Sequence, residues 1–333
     1  MEIRTVSLKD YSSLRVGGEG SLVEVTSTIQ LVEILQYAKK EGLRVHILGE
    51  GTNTFFGETS DGILFVKINI KGVSWNEEGE DVVVTAYAGE NWDAVVKMCV
   101  EKNLWGIENL SYIPGSVGAA PVQNIGAYGT ELKDTLVSVQ ALDRHTLDLV
   151  EIRNSACQFG YRDSLFKKEN NPYIIISVTL RVSRVPHPLL GYKPLDVLAT
   201  QEDLTIKDIR ECVIATRTAK LPDYTVNPNN GSFFKNPVVS KEVGEQLLHT
   251  YPDAKLIASG EGYKIPAAWL IEHVAQMKGK RMGNVGTWPL QPLVIVNYGE
   301  AHADEILQFS ENIIQKIQEK TGITLEREVN FVR

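Results

Sequence analysis

A long irregular segment, residues 113–129, constrains the fold of this chain more than any other part. It contains four glycines, two prolines and three alanines, so it offers few side chains to pack and fits neither a regular helix nor a regular strand. Irregular segments of small residues inside a compact domain usually line a ligand. A flexible surface loop is the alternative, although such loops normally carry more charge. The composition therefore favours ligand contact.

A second loop, Gly49-Glu50-Gly51-Thr52-Asn53, directly follows the apolar run Val45-His46-Ile47-Leu48. Its two glycines let the backbone turn sharply and approach a ligand, and successive N–H groups can hold phosphate oxygens. The loop matches neither a GxGxxG motif nor a P-loop. A simple turn after a strand remains the alternative for this loop taken alone.

Composition limits the class of protein. The 333 residues are 43% hydrophobic and 23% charged, which is ordinary for a globular protein of about two or three domains. A net charge of −8 without a basic run makes nucleic acid an unexpected partner. The apolar runs are too short to span a bilayer and the N-terminus lacks a signal peptide. We therefore expect a cytoplasmic protein with reduced cysteines, no membrane contact and no metal ligand among its scattered histidines. A monomer is expected because the sequence has no coiled-coil pattern and no obvious apolar interface stripe.

Apolar spacing predicts alternating helices and strands in the first two thirds of the chain. Ser27-Thr28-Ile29-Gln30 has the spacing of a capping box, a helical pattern follows it, and Gly42 marks the end. Asn91 is expected to cap a helix that continues through Val100. The predicted strands are residues 45–48, 63–66, 82–86, 136–142 and 174–182.

The sequence pattern changes near Lys220, which predicts a domain boundary. Beyond it, residues 265–274 and 305–318 show helical spacing, and Gly322 ends the second helix. Residues 323–331 predict a terminal strand. Its period-2 alternation places Leu325, Val329 and Phe331 on one face and Glu326, Glu328 and Asn330 on the other. Arg327 falls on the otherwise apolar face, so the alternation is imperfect.

Two short clusters carry groups that can do chemistry. Ser232, Lys235 and Asn236 lie between Gly231 and Pro237, and each loses hydration when buried, which suggests a site. A surface turn is the alternative. In Gly160-Tyr161-Arg162-Asp163 the arginine can hold a carboxylate or an enolate through a bidentate fork, or it can form a structural pair with the adjacent aspartate.

Together these motifs resemble the UDP-N-acetylenolpyruvoylglucosamine reductase family, flavoenzymes that make UDP-N-acetylmuramate for peptidoglycan and so serve cell shape and division. The resemblance runs nearly end to end, in the family's order. Residues 49–53 and 113–129 are similar to its FAD loops, and residues 160–163, 231–237 and 325–329 are similar to its catalytic elements. Tyr192 lies where one subclass carries a tyrosine loop that folds over the substrate.

The resemblance implies an α+β fold. A two-part FAD-binding domain of the vanillyl-alcohol-oxidase-like type, residues 1–72 and 73–219, would precede an α+β substrate-binding domain, residues 220–320. The C-terminal strand, residues 321–333, would return to the second FAD-binding part.

The implied cofactor is FAD, bound without a covalent tether because neither loop contains a His or Cys, and the implied co-substrate is NADPH. The residues expected to bind FAD are Gly49, Glu50, Gly51, Thr52, Asn53, Ile113, Pro114, Gly115, Ser116, Gly118, Ala119, Gln123, Asn124, Gly126, Ala127 and Gly129.

The resemblance also implies the mechanism. NADPH reduces FAD, leaves and is replaced by the enolpyruvyl sugar nucleotide, which accepts a hydride at the terminal carbon of its enol ether. Arg162 and Glu328 are expected to stabilise the resulting enolate, because an unstabilised carbanion is too costly. Ser232 is expected to deliver the proton.

Other residues are expected to bind the small-molecule substrate, with Lys220 and Asn236 at its pyrophosphate and Tyr192 closing over it. The full set is Tyr128, Tyr192, Lys220, Asn236 and Gln291. The chain departs from the family at Asn330, where a basic residue is expected two places after the catalytic glutamate.

Three other functions remain as alternatives. Ser232-Phe233-Phe234-Lys235 and Lys320-Thr321-Gly322 match parts of the serine β-lactamase signature. No Ser-Asp-Asn motif lies between them, however, and Pro237 would disrupt the helix that carries the first motif. A carbohydrate oxidase on the same flavin fold and a flavin-binding protein without turnover are the other two.

Overall fold

The computed structural model of the protein describes residues 2–333 and divides them into two compact units. The N-terminal unit contains residues 2–6, Gly20–Glu50 and Asp61–Ala219, and the C-terminal unit contains Ser7–Glu19, Gly51–Ser60 and Lys220–Arg333. Each unit has its own hydrophobic core. The grouping of residues 7–19 and 51–60 with the C-terminal part was not indicated by the sequence. The domain boundaries expected at residues 72 and 219 stay a prediction.

Helices and strands alternate irregularly along the chain. The strands are β1 (Arg4–Ser7), β2 (Glu19–Val25), β3 (Arg44–Leu48), β4 (Thr54–Phe56), β5 (Ile63–Ile68), β6 (Val73–Glu78), β7 (Asp81–Tyr87), β8 (Gly126–Ala127), β9 (Thr130–Glu131), β10 (Leu136–Asp143), β11 (Leu149–Arg153), β12 (Tyr173–Ser183), β13 (Asn229–Ser232), β14 (Val238–Val239), β15 (Ile257–Ser259), β16 (Gly262–Lys264), β17 (Arg281–Met282), β18 (Val285–Thr287), β19 (Val294–Asn297) and β20 (Asn330–Val332). The helices are α1 (Thr28–Glu41), α2 (Trp92–Glu101), α3 (Ile206–Lys220), α4 (Lys241–Thr250), α5 (Ala267–Trp269) and α6 (Ala303–Thr321).

The N-terminal unit is built on two larger sheets. The first has the strand order β1-β2-β5-β3, with β2 and β3 parallel to β5. The second is antiparallel, in the order β11-β10-β12-β7-β6. All five strands predicted here are confirmed, and each extends one or two residues further at its ends. The edge strands β6 and β11 were missed because their exposed polar side chains hide the apolar alternation.

Local capping signals determine the helices of this unit. The Ser27 hydroxyl accepts a hydrogen bond from Gln30 N at 3.2 Å, and Gly42 ends α1 with φ 69°. Asn91 Oδ1 accepts from Ala94 N at 2.9 Å and begins α2. Both predicted helices are therefore confirmed, with their caps.

The C-terminal unit has a four-stranded sheet in the order β13-β19-β18-β17 and a three-stranded sheet in the order β14-β16-β15. The helix predicted over residues 305–318 is confirmed as α6, and its apolar residues Ile306, Ile313 and Ile317 are fully buried. Gly322, with φ 71°, ends this helix as expected. The helix predicted at residues 265–274 is only partly correct. It begins after Pro266, which lies at its N-cap, and continues beyond α5 as a π-helical turn, Leu270–Val274.

The terminal strand prediction is wrong for residues 323–329, because the ladder is confined to β20, which pairs in parallel with β4. Its partner thus belongs to the first 72 residues and not to residues 73–219. Arg327 breaks the expected alternation, since its side chain binds Ser310 and Glu311 of α6. Glu328 and Val329 are consequently both buried, and Glu328 does not lie on a solvent face.

Candidate active site

The two glycine-containing loops meet in the N-terminal unit at Gly49. A Cβ atom at Gly49 would lie 2.5 Å from Ser116 Oγ and 3.8 Å from the Ala119 Cβ. The lack of a side chain therefore allows the start of the first loop to approach the second. The contact supports the expectation that both loops serve one ligand.

Glu50 has a partner on the helix that follows. Asn91 Nδ2 lies 3.3 and 3.4 Å from the two carboxylate oxygens of Glu50, while Asn91 Oδ1 caps α2. Asn91 also forms an isolated β-bridge with Ser116. One asparagine thus links Glu50, Ser116 and the start of α2. The sequence predicted only its role as a helix cap.

The second loop, residues 113–129, is irregular as predicted, apart from a single turn at Val117–Ala119 and the short hairpin of β8 and β9. Asn124 lies inside it and is fully buried. Its Nδ2 donates to Glu131 Oε2 and to the Gly160 carbonyl oxygen, and its Oδ1 accepts from Lys133 N. The amide of Asn124 therefore holds the loop together.

Arg162 is held against this loop. Its Nη2 donates to the Gly126 carbonyl oxygen at 2.9 Å, and its backbone adopts a left-handed φ of 53°. The Asp163 carboxylate pairs with Lys168 at 2.6 Å, and this pair lowers the pKa of Asp163 against the opposing effect of burial. Asp163 therefore has a lysine partner of its own.

Tyr128 and Tyr192 contact each other edge to face, with their ring centroids 6.3 Å apart. Tyr192 is 56% exposed, whereas Tyr128 is half-buried at the turn between β8 and β9. Burial raises the pKa of the Tyr128 hydroxyl, and the positive charge of Arg217 opposes that shift. Arg217 Nε also donates to the Tyr112 carbonyl oxygen at 3.1 Å. The structure thus brings the two predicted substrate-binding tyrosines together.

Ser232 ends β13 in the C-terminal unit, directly after Gly231, whose φ is 70°. The next two residues, Phe233 and Phe234, are fully buried, and burying each ring is worth about 1.5–3 kcal/mol. They anchor the strand end while the Ser232 side chain stays half-buried. Because Ser232 lies on a strand and Lys320 ends a helix, the arrangement differs from the helical S-x-x-K and strand-borne KTG of serine β-lactamases.

The segment that carries Glu328 runs beside this strand end. Glu328 N donates to the Phe233 carbonyl oxygen at 2.8 Å, and Lys235 N donates to the Glu326 carbonyl oxygen at 2.9 Å. Glu328 is 9% exposed. The backbone therefore fixes the predicted catalytic glutamate next to the residue that follows the predicted catalytic serine.

The rest of the first loop, Gly51 to Asn53, belongs to the same unit as Ser232 and Glu328. Gly51 has φ 67°, and a Cβ there would collide with the Tyr11 carbonyl oxygen. Asn53 Nδ2 donates to the Glu328 carbonyl oxygen at 3.3 Å, and the Asn53 carbonyl oxygen accepts from Asn330 N at 3.0 Å. The expected flavin loop and the expected catalytic glutamate are thus directly hydrogen-bonded.

A residue that the sequence did not single out completes this connection. The Nδ2 group of Asn230 lies 2.8 Å from Ser13 Oγ and 3.3 and 3.4 Å from the carbonyl oxygens of Gly51 and Thr54. Asn230 is buried, and two residues later the chain reaches Ser232. Within the turn-like string Asn229-Asn230-Gly231 nothing distinguished this asparagine, because its acceptors are 176 to 217 residues away.

The predicted substrate-binding residues of the C-terminal unit have different surroundings. Lys220 is exposed at the end of α3. Asn236 Oδ1 accepts from Ala267 N at 2.8 Å, so its oxygen supports the start of α5. Gln291 Oε1 accepts from Leu293 N at 3.4 Å. Lys235, adjacent to Asn236, forms an ion pair with Glu326.

Asn330, the departure from the family pattern, is exposed on β20, and its backbone N–H donates to the Asn53 carbonyl oxygen.

Within residues 2–333, no cluster of three or more His, Cys, Asp or Glu side chains could hold a metal ion. Across the same residues, no helix combines the length and the apolar character needed to cross a bilayer.

The sequence matches two family models. Residues 222–332 match the C-terminal domain of UDP-N-acetylenolpyruvoylglucosamine reductase, and residues 21–146 match an FAD binding domain.

Curated relatives match over almost the whole chain. The UDP-N-acetylenolpyruvoylglucosamine reductase of Flavobacterium johnsoniae is 40% identical, with 100% of both chains covered. The reductase of Aliivibrio fischeri is 39% identical over 98% of this chain and 93% of its own length. The reductase of Escherichia coli strain K12 is 39% identical over 91% of this chain and 88% of its own.

A solved structure shares the fold. The UDP-N-acetylenolpyruvylglucosamine reductase of Thermus caldophilus superposes with a TM-score of 0.70 over 100% of both chains, at 23% identity. Together with the two family matches, this likeness confirms the predicted α+β class, with an FAD-binding domain followed by a C-terminal domain.

Proposed function

Because the chain belongs to the UDP-N-acetylenolpyruvoylglucosamine reductase family, we propose that it reduces UDP-N-acetylglucosamine enolpyruvate to UDP-N-acetylmuramate with NADPH. The chain is an oxidoreductase of peptidoglycan synthesis with an FAD-binding domain. Non-covalent FAD, held by residues 49–53 and 113–129, supplies a hydride when bound. The protein acts as a cytoplasmic monomer.

One observation carries the proposal. Asn53 and Asn230 connect residues Gly51 to Thr54 of the first loop to the Glu328 segment and to the strand that bears Ser232. A proton donor and an acidic side chain are thus fixed relative to a loop expected to hold the cofactor. Such preorganisation is what a site needs in order to stabilise charge that develops during the reaction.

Ser232 gives the proton to the enolate carbon. A serine hydroxyl is a weak acid, so it transfers a proton only when it is held close to a strongly basic carbon. The buried rings of Phe233 and Phe234 fix the backbone at this point. Within residues 2–333 the Ser232 hydroxyl forms no hydrogen bond, so it is available to the substrate.

Arg162 and Glu328 stabilise the enolate. Arg162 supplies a guanidinium donor whose position is set by its bond to the Gly126 carbonyl oxygen. Glu328 is buried and acts as a protonated acid that donates a hydrogen bond to the developing negative charge. The substrate is held by Tyr128, Tyr192, Lys220, Asn236 and Gln291, with Lys220 and Asn236 at its pyrophosphate.

Anaerobic half-reactions test the proposal. NADPH should bleach the flavin absorbance of the purified protein, and the enolpyruvyl sugar nucleotide should restore it while UDP-N-acetylmuramate forms, as checked by mass spectrometry. Parallel initial-velocity lines are expected, because both substrates must reach the same flavin in turn. A flavin that NADPH does not reduce, or that the enolpyruvyl compound does not reoxidise, would exclude this activity.

The state of the cofactor is tested separately. No His or Cys lies in either loop, so acid precipitation should release FAD into the supernatant. Flavin that stays with the protein pellet would show a covalent bond and contradict this part of the proposal.

A further inference from the structure

Asn109 is a buried polar residue to which neither the sequence motifs nor the proposed mechanism assign a task. It lies in the single turn Glu108–Leu110 and is 1% exposed. Its Nδ2 donates to the Tyr128 carbonyl oxygen at 3.0 Å and to the Leu189 carbonyl oxygen at 2.9 Å. Both acceptors are carbonyls, so the group that faces them must be the amide NH₂, and both of its hydrogens are used.

The two acceptors belong to the segments that carry the predicted substrate-binding tyrosines. Tyr128 holds a left-handed φ of 49° at the turn between β8 and β9. Leu189 precedes Tyr192 by three residues, in a stretch between β12 and Leu195 in which almost every side chain is exposed. Within residues 185–193, Leu190 packs against the hydrophobic core and the other side chains are exposed, so the bond to the adjacent Leu189 carbonyl oxygen is one of few contacts that set where Tyr192 lies.

The cost of burying this amide points to a specific role. Asn109 Oδ1 has no hydrogen-bond partner within residues 2–333, and an unsatisfied buried polar atom is destabilising. A side chain needed only to fill space would avoid that cost, because an apolar residue of similar volume carries no polar atom. What the asparagine adds is the pair of bonds that brings Leu189 and Tyr128, 61 positions apart in sequence, onto one side chain.

The contact between the Tyr128 and Tyr192 rings shows the consequence of these two hydrogen bonds. Tyr128 and Tyr192 contact edge to face, and a Cβ at Gly129 would lie 3.7 Å from the Tyr192 Cβ. The Tyr192 segment therefore lies directly on the Tyr128 turn, and Asn109 hydrogen-bonds both from the buried side.

We propose that Asn109 is a positioning residue for the sugar-nucleotide site, whose amide holds the Tyr192 segment on the Tyr128 turn so that both phenols are preset for the substrate's diphosphate. This inference rests on the proposed function. The residue touches no substrate and acts through Tyr192.

Three variants separate positioning from packing. Asn109→Ala removes both donors, and Asn109→Leu removes them while keeping the volume of the side chain. The matched control is Asn154→Ala, because Asn154 Nδ2 also bridges two carbonyl oxygens, those of Lys133 and Leu136, at 2.7 and 2.8 Å. The control loses the same chemistry away from the tyrosines.

Steady-state kinetics provide the first measurement. Both Asn109 variants should raise KM for the enolpyruvyl sugar nucleotide roughly 5- to 10-fold, about the effect of one lost hydrogen bond and no more than that of removing Tyr192, with kcat changed less than about threefold. Asn154→Ala should leave KM unchanged. In the double variant Asn109→Ala/Tyr192→Ala, KM should be little higher than in Tyr192→Ala alone, because the residue through which Asn109 acts is already removed. A wild-type KM in Asn109→Leu, or multiplicative effects in the double variant, would overturn the inference.

Hydrogen exchange of the free protein provides a second measurement that does not depend on turnover. Backbone amides of residues 185–193 should exchange faster in both Asn109 variants and at the wild-type rate in Asn154→Ala. Unchanged exchange in Asn109→Leu would show that the bond does not anchor the segment. A wild-type protein without turnover would instead remove the proposed function, and this inference with it, whereas an active wild type with unaffected Asn109 variants would remove the inference alone.

Discussion

Asn53 holds the Glu328 segment from two sides: its Nδ2 donates to the Glu328 carbonyl oxygen at 3.3 Å, and its own carbonyl oxygen accepts from the N–H of Asn330 at 3.0 Å. This contact continues into the parallel pairing of β4 and β20. The end of the chain is thereby fixed to a loop near its beginning. A displacement of the first glycine-containing loop would therefore also displace Glu328.

Asn53→Ala tests this connection. Loss of the bond to the Glu328 carbonyl oxygen costs about 1 kcal/mol. Because Asn53 belongs to the loop proposed to hold FAD, loosening that loop should weaken FAD binding by up to about fivefold in a flavin-fluorescence titration. Reoxidation of the reduced enzyme by the enolpyruvyl sugar should slow as well, because Glu328 is displaced. Asn330→Ala is the control, since the Asn330 bond to Asn53 uses only the backbone. Equal behaviour of the two variants would show that the Asn53 side chain does not position Glu328.

Ser232→Ala should separate the two half-reactions. FAD binding and flavin reduction by NADPH should stay near normal, because neither uses the hydroxyl. Reoxidation by the enolpyruvyl substrate should slow by roughly 10²- to 10⁴-fold, the range typical of lost general acid catalysis. Ser232→Cys should retain more activity, since a thiol also donates a proton. Stopped-flow absorbance measures both steps, and equal slowing of both would assign Ser232 a structural role only.

Tyr192 should contribute to binding more than to chemistry. Its ring is 56% exposed and rests edge to face on Tyr128, so it is free to contact a substrate without rearrangement of the core. Tyr192→Ala should raise KM for the sugar nucleotide roughly tenfold and lower kcat less, because such a contact stabilises ground state and transition state alike. An unchanged KM in both Tyr192→Phe and Tyr192→Ala would mean that this segment does not cover the pyrophosphate.

The three free cysteines should differ sharply in reactivity. Cys99 and Cys157 are fully buried, and burial raises the pKa of Cys99 to about 12 and that of Cys157 to about 11. Because the thiolate is the reactive form, neither should react with a thiol reagent at pH 8. Cys212 is partly exposed and should account for one reactive equivalent, which Cys212→Ser removes. Three equivalents should appear after unfolding, and more than one in the folded protein would contradict the burial of the other two.

His46 should make stability depend on pH. Burial against Phe65 and the nearby positive charge of Arg144 lower the pKa of His46 from 6.5 to about 4. Between these values the unfolded chain binds a proton that the folded chain does not, so stability should fall as pH drops from 6.5 to 4, by up to about 3 kcal/mol. His46→Gln should flatten this part of the curve of unfolding free energy against pH. The exposed His145→Gln is the control, and an unchanged slope in His46→Gln would refute the assignment.

Much of this fold could be predicted from the sequence because it depends on local interactions. The caps at Ser27 and Asn91 and the stop at Gly42 act within four residues of the helices they limit, so the helices were predictable. The strands in the core of the N-terminal unit were likewise visible from their apolar runs. The family motifs pointed to two flavin loops, and the Gly49–Ser116 approach shows that these loops meet.

The features that only the tertiary structure determined depend on hydrogen-bond partners that are distant in the sequence. Asn109 and Asn230 look like ordinary turn residues, yet their acceptors lie up to 80 and 217 positions away. The terminal segment carries a strand pattern, but Arg327 turns to α6 and limits the ladder to three residues. A buried amide gains stability only when matching carbonyls are brought to it. Residue type and spacing therefore determined the helices, the core strands and the candidate chemistry, whereas long-range packing alone determined which polar groups hold that chemistry in place.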